Sequence, residues 1–481
     1  MPGFHVEHFG CRAARADGEA VSGRLCAAGH SPQQSTEADV VIVNTCSVTA
    51  EADRAARAFI RRTHRLNPAA QIVVTGCYAQ RAPEELAGLA GVAAVVGNSH
   101  KALAPEIILG LTRNAAGADP AQIVSVQSLV TGGAPIWADD RFAHSFIEEV
   151  QLTPGVQTRP NLKIQEGCGN RCTFCVIPTT RGASKSLPAA NILRQVEGFV
   201  AAGGNELVLS GINLGRWGRD LAASIAPDKE APAPRSLAAL VRQIFAGTAL
   251  PRLRLSSIEP MDWDAELIAL MAEFGGSQSM GSGQSSGRLA RHAHLPLQSG
   301  SDAVLRRMHR RYRPWHYQEK VQALLRAAGP ELTLGADVMV GFPGETDAEF
   351  EETLALVRAL PFGYLHLFPF SPRPGTPGWA LHLAAPVPPP VVEERMAALR
   401  ALAVEKSETH RRRFVGRELD AITLHTPAAL AGRGCTAALT ENFLPVEIAG
   451  PLPANQLLRV RVSGLNAEGA LEAAEIMVAV A

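Results

Sequence analysis

The sequence carries no net charge: 46 Lys and Arg are matched by 46 Asp and Glu in 481 residues. Such a chain has no long-range field to draw it onto nucleic acid, so any RNA contact must come from local patches. No apolar run approaches the roughly 18 residues of a membrane-spanning helix, and the first residues lack the basic and apolar segments of a secretory leader. No membrane partner is therefore expected. Structural disulfides are not expected either, because the eight cysteines suit thiolate chemistry in a reducing cytoplasm. Hydrophobic residues make up 46% of the chain, ample for packed cores in about three domains.

Cys168, Cys172 and Cys175 lie in Lys-Ile-Gln-Glu-Gly-Cys-Gly-Asn-Arg-Cys-Thr-Phe-Cys-Val-Ile-Pro. A zinc site would close its tetrahedron with a fourth Cys or His in a second short spacing, and none lies nearby. Three thiolates at this spacing suit a four-iron cluster with one iron left open. Cys46 and Cys77 each close a short β-branched run, Ala-Asp-Val-Val-Ile-Val-Asn-Thr-Cys and Gln-Ile-Val-Val-Thr-Gly-Cys, with a helical stretch between them that stops at Asn67-Pro68. Both runs read as buried parallel strands, whose carboxyl ends share one sheet edge, where open α/β folds place ligands. Cys11, in Phe-Gly-Cys-Arg, is a third candidate for that edge. On the residues alone, three buried structural thiols fit as well as a second metal site.

The Cys168–Cys175 run resembles the radical S-adenosylmethionine (SAM) enzymes. Phe-Gly-Cys-Arg, Asn-Thr-Cys-Ser-Val-Thr, Thr-Gly-Cys-Tyr-Ala-Gln and Val-Val-Gly-Asn resemble the amino-terminal domain of the methylthiotransferases within that group. The resemblance implies two [4Fe-4S] clusters, an auxiliary one on Cys11, Cys46 and Cys77 and a SAM-cleaving one on Cys168, Cys172 and Cys175. It also implies SAM as methyl donor and radical source, tRNA as substrate, and an electron donor of flavodoxin or ferredoxin type. Cys26 and Cys435 match no family cysteine, and a monomer is expected. Three branches of the family compete, acting on threonylcarbamoyl-adenosine or isopentenyl-adenosine at position 37 of tRNA, or on an aspartate of a ribosomal protein. Cys11-Arg12 and Leu-Ser-Gly-Ile-Asn-Leu-Gly favour the first. A non-catalytic iron–sulfur protein that binds RNA or senses redox state is the rival from another class, and an assay for SAM cleavage separates the two.

Along the chain, residues 1–125 read as an α/β domain and 126–154 as a linker. Residues 155–410 repeat strand and helix, with strands expected at 206–211, 252–259, 292–300, 336–345 and 364–371. The resemblance implies that they form a partial (β/α) barrel. A helix follows Pro388–Pro390, and 414–481 read as a small β-barrel resembling the TRAM domain. This last segment holds four arginines, no lysines and seven acidic residues, a poor surface for phosphate. Gly275–Gly287 is a low-complexity insertion.

Parallel barrels place ligands at strand carboxyl ends, so Ser257, Glu259, Gln298 and Gly341 to Glu345 are candidate contacts for a polar cofactor. Glu206, after Gly203-Gly204, is a candidate SAM contact by the resemblance, as are Ser257, Gln298 and Gly341. His292 and His294 read as packed or hydrogen-bonded rather than ligating. Arg306, Arg307, Arg310 and Arg311, with Arg313, Tyr312 and Trp315, are candidate RNA contacts, the local patch that a neutral chain needs. Arg-Gly-Ala-Ser-Lys-Ser departs from the family's Arg-Gly-x-x-Arg-Ser at Lys185, where a bidentate donor is lost. No catalytic side chain is assigned.

Overall fold

The computed structural model describes residues 2–115, 133–142, 158–221, 234–276 and 287–479, with 144, 145, 147, 149 and 152. About half of the 126–154 linker and all but the rims of the 275–287 insertion lie outside the described residues. The chain divides into two compact units. The first comprises Met1–Val150, Gln165–Ser186 and Ser371–Thr376, and the second comprises the remainder.

The first unit is built on a parallel sheet. Its strands are β1 (Gly3–His8), β2 (Ser31–Pro32), β3 (Val40–Thr45), β4 (Gln71–Gly76), β5 (Val92–Gly97) and β6 (Ile136–Trp137), in the order β2-β1-β3-β4-β5-β6. Every neighbouring pair is parallel. The β-branched runs fill both faces: Val41, Val43, Ile72 and Val74 enter one core with Ala56 and Ile60 of helix Ala50–Leu66. Val40, Ile42 and Val73 enter another with Val21 and Leu25 of helix Arg12–Ala27. Successive strand residues point to opposite faces, which is why an unbroken apolar run suits a sheet covered on both sides. Thr49 caps helix Ala50–Leu66 by accepting from Ala52 N, and the helix ends at Asn67, because the residue before a proline disfavours helical backbone. Parallel pairing brings the ends of β1, β3 and β4 to one edge, immediately before Cys11, Cys46 and Cys77.

In the second unit, β7 (Asn161–Glu166), β9 (Glu206–Gly211) and β10 (Arg252–Leu255) form one sheet in the order β10-β9-β7. The last residues of β7 belong to the first unit, where Gln165 and Glu166 pair antiparallel with β8 (Lys185–Ser186). Strands β11 (His292–His294), β12 (Thr333–Val340) and β13 (Phe362–Pro369) are parallel neighbours. A parallel bridge from Leu253 to Leu289 links β10 to the approach of β11. Among the described residues no pairing joins β13 back to β7, so the barrel is partial.

β9 spans the expected 206–211, whereas β10 and β11 are much shorter than the runs 252–259 and 292–300 suggest. β10 stops at Leu255, beyond which a 3₁₀ turn forms at Pro260–Asp262, and Pro296 follows closely on the end of β11. Five strands then close a barrel in the order β14-β15-β16-β18-β17. They are β14 (Glu418–Thr423), β15 (Cys435–Thr440), β16 (Pro445–Ala449), β17 (Leu457–Leu465) and β18 (Leu471–Ala479). Leu419, Val446, Ile448, Val460 and Leu471 fill its core. No described helix is long and apolar enough to cross a membrane.

Candidate metal centres

The Asn-Thr-Cys motif builds the first centre. Asn44 Nδ2 donates to the Ala14 carbonyl, in the first turn of the helix that starts beside Cys11. Thr45 Oγ1 accepts from Tyr78 N at 3.2 Å and Ala79 N at 3.4 Å, pinning the turn that carries Cys77. Gly76, with φ of 98°, lies so close to the neighbouring strand that a Cβ would meet Thr45 O at 2.3 Å. Only glycine suits that place.

Cys46 and Cys77 are buried and Cys11 is exposed. Burial pushes the Cys46 thiol up to about 12, and the charges of Cys77 and Cys11 push it the same way. Cys77 and Cys11 thus lie close enough to Cys46 to oppose its ionisation, a repulsion that a bound cation or cluster would relieve.

The second triplet follows β7. Gly167, with φ of 69°, is again a position where a Cβ would strike backbone, 2.0 Å from Ala183 O. Cys168 N donates to Gly182 O at 3.1 Å, and Cys175 N to Cys172 O at 3.2 Å. Backbone amides turn toward the sulfurs: Asn170 N is 3.4 Å from Cys168 Sγ and Ile177 N is 3.5 Å from Cys175 Sγ. All three cysteines are partly exposed. Among the described residues no disulfide forms, and Cys26 and Cys435 stand apart, in helix Arg12–Ala27 and at the start of β15.

A buried charge network in the same unit escaped sequence reasoning. Arg181, fully buried, directs Nε to Cys77 Sγ at 3.2 Å and Nη1 to Glu166 at 2.8 Å and Asp17 at 3.0 Å. Lys101 Nζ donates to Glu166. Burial works against the charge of Arg181, but Cys77 and Glu166 outweigh it and hold the guanidinium protonated. Burial also pulls Lys101 below the usual lysine range, with Glu166 opposing. Asn98, of the Val-Val-Gly-Asn motif, donates from Nδ2 to Cys77 Sγ at 3.4 Å and to Thr180 O at 2.8 Å. The sequence signal was a charge beside each motif, Glu166 before Cys168 and Arg181 after Cys175, but spacing does not reveal that they meet. Lys185, where the family has Arg, donates to the Phe142 and Ser145 carbonyls at 2.8 and 3.0 Å.

The candidate SAM residues lie in the second unit. Ser257 Oγ hydrogen-bonds His294 Nδ1 at 2.9 Å. Gln298 is buried, and its Oε1 has no partner among the described residues. Gly341 N donates to Glu345 Oε2 at 2.8 Å. Glu206 opens β9 and is wholly buried, its carboxylate taken by Arg254 at 2.9 Å, Arg252 at 3.5 Å and Arg159 at 3.6 Å. His292 and His294 are packed and hydrogen-bonded, His292 to Tyr364 Oη at 2.7 Å. His294, Asp337 and His366 present ligand atoms within 4.8 Å of one another. Asp337 lies 3.3 Å from His294 and 3.2 Å from His366, and despite its burial these imidazoles hold its carboxyl well below the usual range.

Each of the four candidate RNA arginines has a carboxylate partner: Arg306 with Asp302, Arg307 with Glu349, Arg310 with Glu259 and Arg311 with Asp262. Arg306 and Arg311 remain substantially exposed. Arg310 and Tyr312 are buried, Tyr312 donating to the Pro296 and Leu297 carbonyls, so neither offers a surface to a nucleotide in this conformation.

Residues 3–97 match the uncharacterized protein family UPF0004 and residues 162–357 match the radical SAM superfamily. The chain is 32% identical to the threonylcarbamoyladenosine tRNA methylthiotransferase MtaB of Aquifex aeolicus, covering 95% of this chain and 99% of that protein. It is 30% identical to the protein of that name in Thermotoga maritima, covering 99% and 98% respectively. A tRNA-2-methylthio-N(6)-dimethylallyladenosine synthase from Parafrankia is 31% identical, with 95% of this chain and 85% of that protein covered. Among solved structures, the radical SAM methyltransferase TsrM from Kitasatospora setae shares the fold, at a TM-score of 0.54 and 16% identity, over 79% of this chain and 77% of that one.

Proposed function

Because this chain belongs to the methylthiotransferase family of radical SAM enzymes, we propose that it places a methylthio group on C2 of threonylcarbamoyl-adenosine at position 37 of tRNA. The observation that carries the substrate is that the alignment covers 99% and 98% of two relatives named for that nucleoside, against 85% of the Parafrankia dimethylallyladenosine synthase.

Cys11, Cys46 and Cys77 hold one four-iron cluster in this reading, and Cys168, Cys172 and Cys175 hold the other. The chemistry of the donor sets supports it: Cys77 and Cys11 near enough to Cys46 to oppose its ionisation in one case, and a spacing that leaves an iron open in the other. When bound, the clusters and SAM would supply the electron, the methyl group and the radical that the reaction needs, with the sulfur drawn from the auxiliary cluster or from sulfide added to it. The protein's own part is to position and to exclude water. Ser257, Gln298 and Gly341 line SAM, and the unpartnered Gln298 Oε1 is an acceptor waiting for a donor such as a ribose hydroxyl or an ammonium group. Glu206 reaches SAM only if its arginine pairs open.

Residues 1–125 serve the auxiliary cluster, 155–410 the radical chemistry and 414–481 the barrel, joined by a linker at 126–154. The enzyme works in the cytoplasm as a monomer with a flavodoxin- or ferredoxin-type reductant. Purified enzyme, loaded anaerobically and given reductant and SAM, should convert tRNA bearing threonylcarbamoyl-adenosine to its methylthio form and leave isopentenyl-adenosine unchanged. SAM cleavage with methylthiolation of the isopentenyl nucleoside alone would overturn the substrate and keep the chemistry.

A further inference from the structure

A cluster-bound cysteine sulfur is electron-rich and accepts hydrogen bonds, and each donor aimed at it stabilises the more negative, reduced state of the cluster. Cys77 has two such donors, Arg181 Nε at 3.2 Å and Asn98 Nδ2 at 3.4 Å. A guanidinium is a costly partner to bury against a neutral thiol, which is a weak acceptor. Arg181 and Lys101 are balanced by Glu166 and Asp17, yet Arg181 Nη2 is buried with no acceptor among the described residues. Buried donors in folded proteins are rarely left so. The sulfides of a cluster on Cys77 are the kind of acceptor that this nitrogen lacks.

Resting on the two-cluster reading above, we propose that Arg181 and Asn98 are positioning residues that raise the reduction potential of the auxiliary cluster through the Cys77 sulfur. The segment Thr180–Gly182 then couples the two cysteine sets. Its side chain at Arg181 serves Cys77, its Thr180 carbonyl accepts from Asn98 at 2.8 Å, and its Gly182 carbonyl accepts from Cys168 N at 3.1 Å. Glu166 completes the strap, holding Arg181 while accepting from Gly167 N at 3.2 Å, one residue before Cys168. None of these groups needs to touch substrate or SAM to act.

The test is an anaerobic redox titration of the full holoenzyme followed by electron paramagnetic resonance, with iron counted on the same sample. The parent should hold about eight irons and give two waves. The auxiliary wave is the one that survives replacement of Cys168, Cys172 and Cys175. Arg181→Met should move that wave to lower potential with iron intact, Arg181→Lys should fall between, and Asn98→Leu should give a smaller shift of the same sign. An unmoved auxiliary wave in an iron-replete Arg181→Met protein would overturn the proposal. Should that variant lose its iron, Asn98→Leu, which removes only a neutral donor, decides by the same criterion. A parent with one wave and about four irons would instead sink the two-cluster reading on which the proposal stands.

Discussion

Gly76 and Gly167 show how little room the sites leave. Each sits at a strand end with positive φ, each directly precedes a candidate ligand, and each would drive a Cβ into backbone. The cysteines that follow are therefore aimed by the sheet and not by loop flexibility. Because the triplets lie in separate sequence contexts, each with its own three sulfurs, they should load separately. Replacing either triplet with Ala is expected to lower iron from about eight to about four per chain, and loss of all iron from one variant would show a single shared site. The arginines make a second residue-level case. Arg306 and Arg311 are the exposed members of their run, so Ala at both should flatten the salt dependence of tRNA binding by up to about one unit of log–log slope per lost phosphate contact. A slope equal to the parent's would mean that both arginines only pair with Asp302 and Asp262.

Among the elements, helix Pro389–Arg412 docks its last turns on the partial barrel, where His410 Nε2 hydrogen-bonds Thr333 Oγ1 at 2.9 Å. Burial, aided by Arg413 and Arg411, holds His410 down to about 4 against 6.5 in an open chain. The unfolded state therefore takes up a proton that the folded state refuses, and stability is lost as pH falls from 6.5 toward 4. The full effect is up to about 3 kcal/mol. In anaerobic denaturation at pH 8 and at pH 5, His410→Asn should lose less stability between the two than the parent does, and equal losses would remove His410 from the account.

The Gly/Ser insertion allows a simpler test at the same scale. Gly287 N and Leu289 N both donate to Phe274 O, at 2.8 and 3.0 Å, so the chain on either side is already joined. Deleting 277–286 should leave iron content and turnover at parent values and shift the melting temperature by a few degrees at most, since loop length costs only about 0.6 kcal/mol per doubling. Collapse of turnover in a folded, iron-replete deletion would make the segment a functional contact.

Elements differ in how openly the sequence declared them. β3, β4 and β9 were legible because continuous Val, Ile and Leu runs bounded by Gly or Cys admit no other reading at that length. The ends of β10 and β11 were not, since Ser256–Glu259 and Leu295–Gly300 carry strand-like alternation that only tertiary bridging and Pro296 interrupt.

The whole molecule is neutral, but its closing barrel is acidic, and even there no arginine is left without a carboxylate. The arginines of the closing barrel are paired, Arg459 with Asp420, Arg461 with Glu418 and Arg433 with Glu447, and Arg417 pairs with Glu331. The cysteine ligands were readable because thiolate spacing is short-range information. The Arg181 network was not, because it joins residues from Asp17 to Glu166 that only the fold brings together. The central claim concerns the product, and nucleoside mass spectrometry of tRNA from a strain lacking this protein tests it most directly. The account predicts loss of the methylthio form of threonylcarbamoyl-adenosine with accumulation of the unmodified precursor. Retention of that form, with loss of methylthio-isopentenyl-adenosine or of the methylthio group on a ribosomal protein, would contradict it.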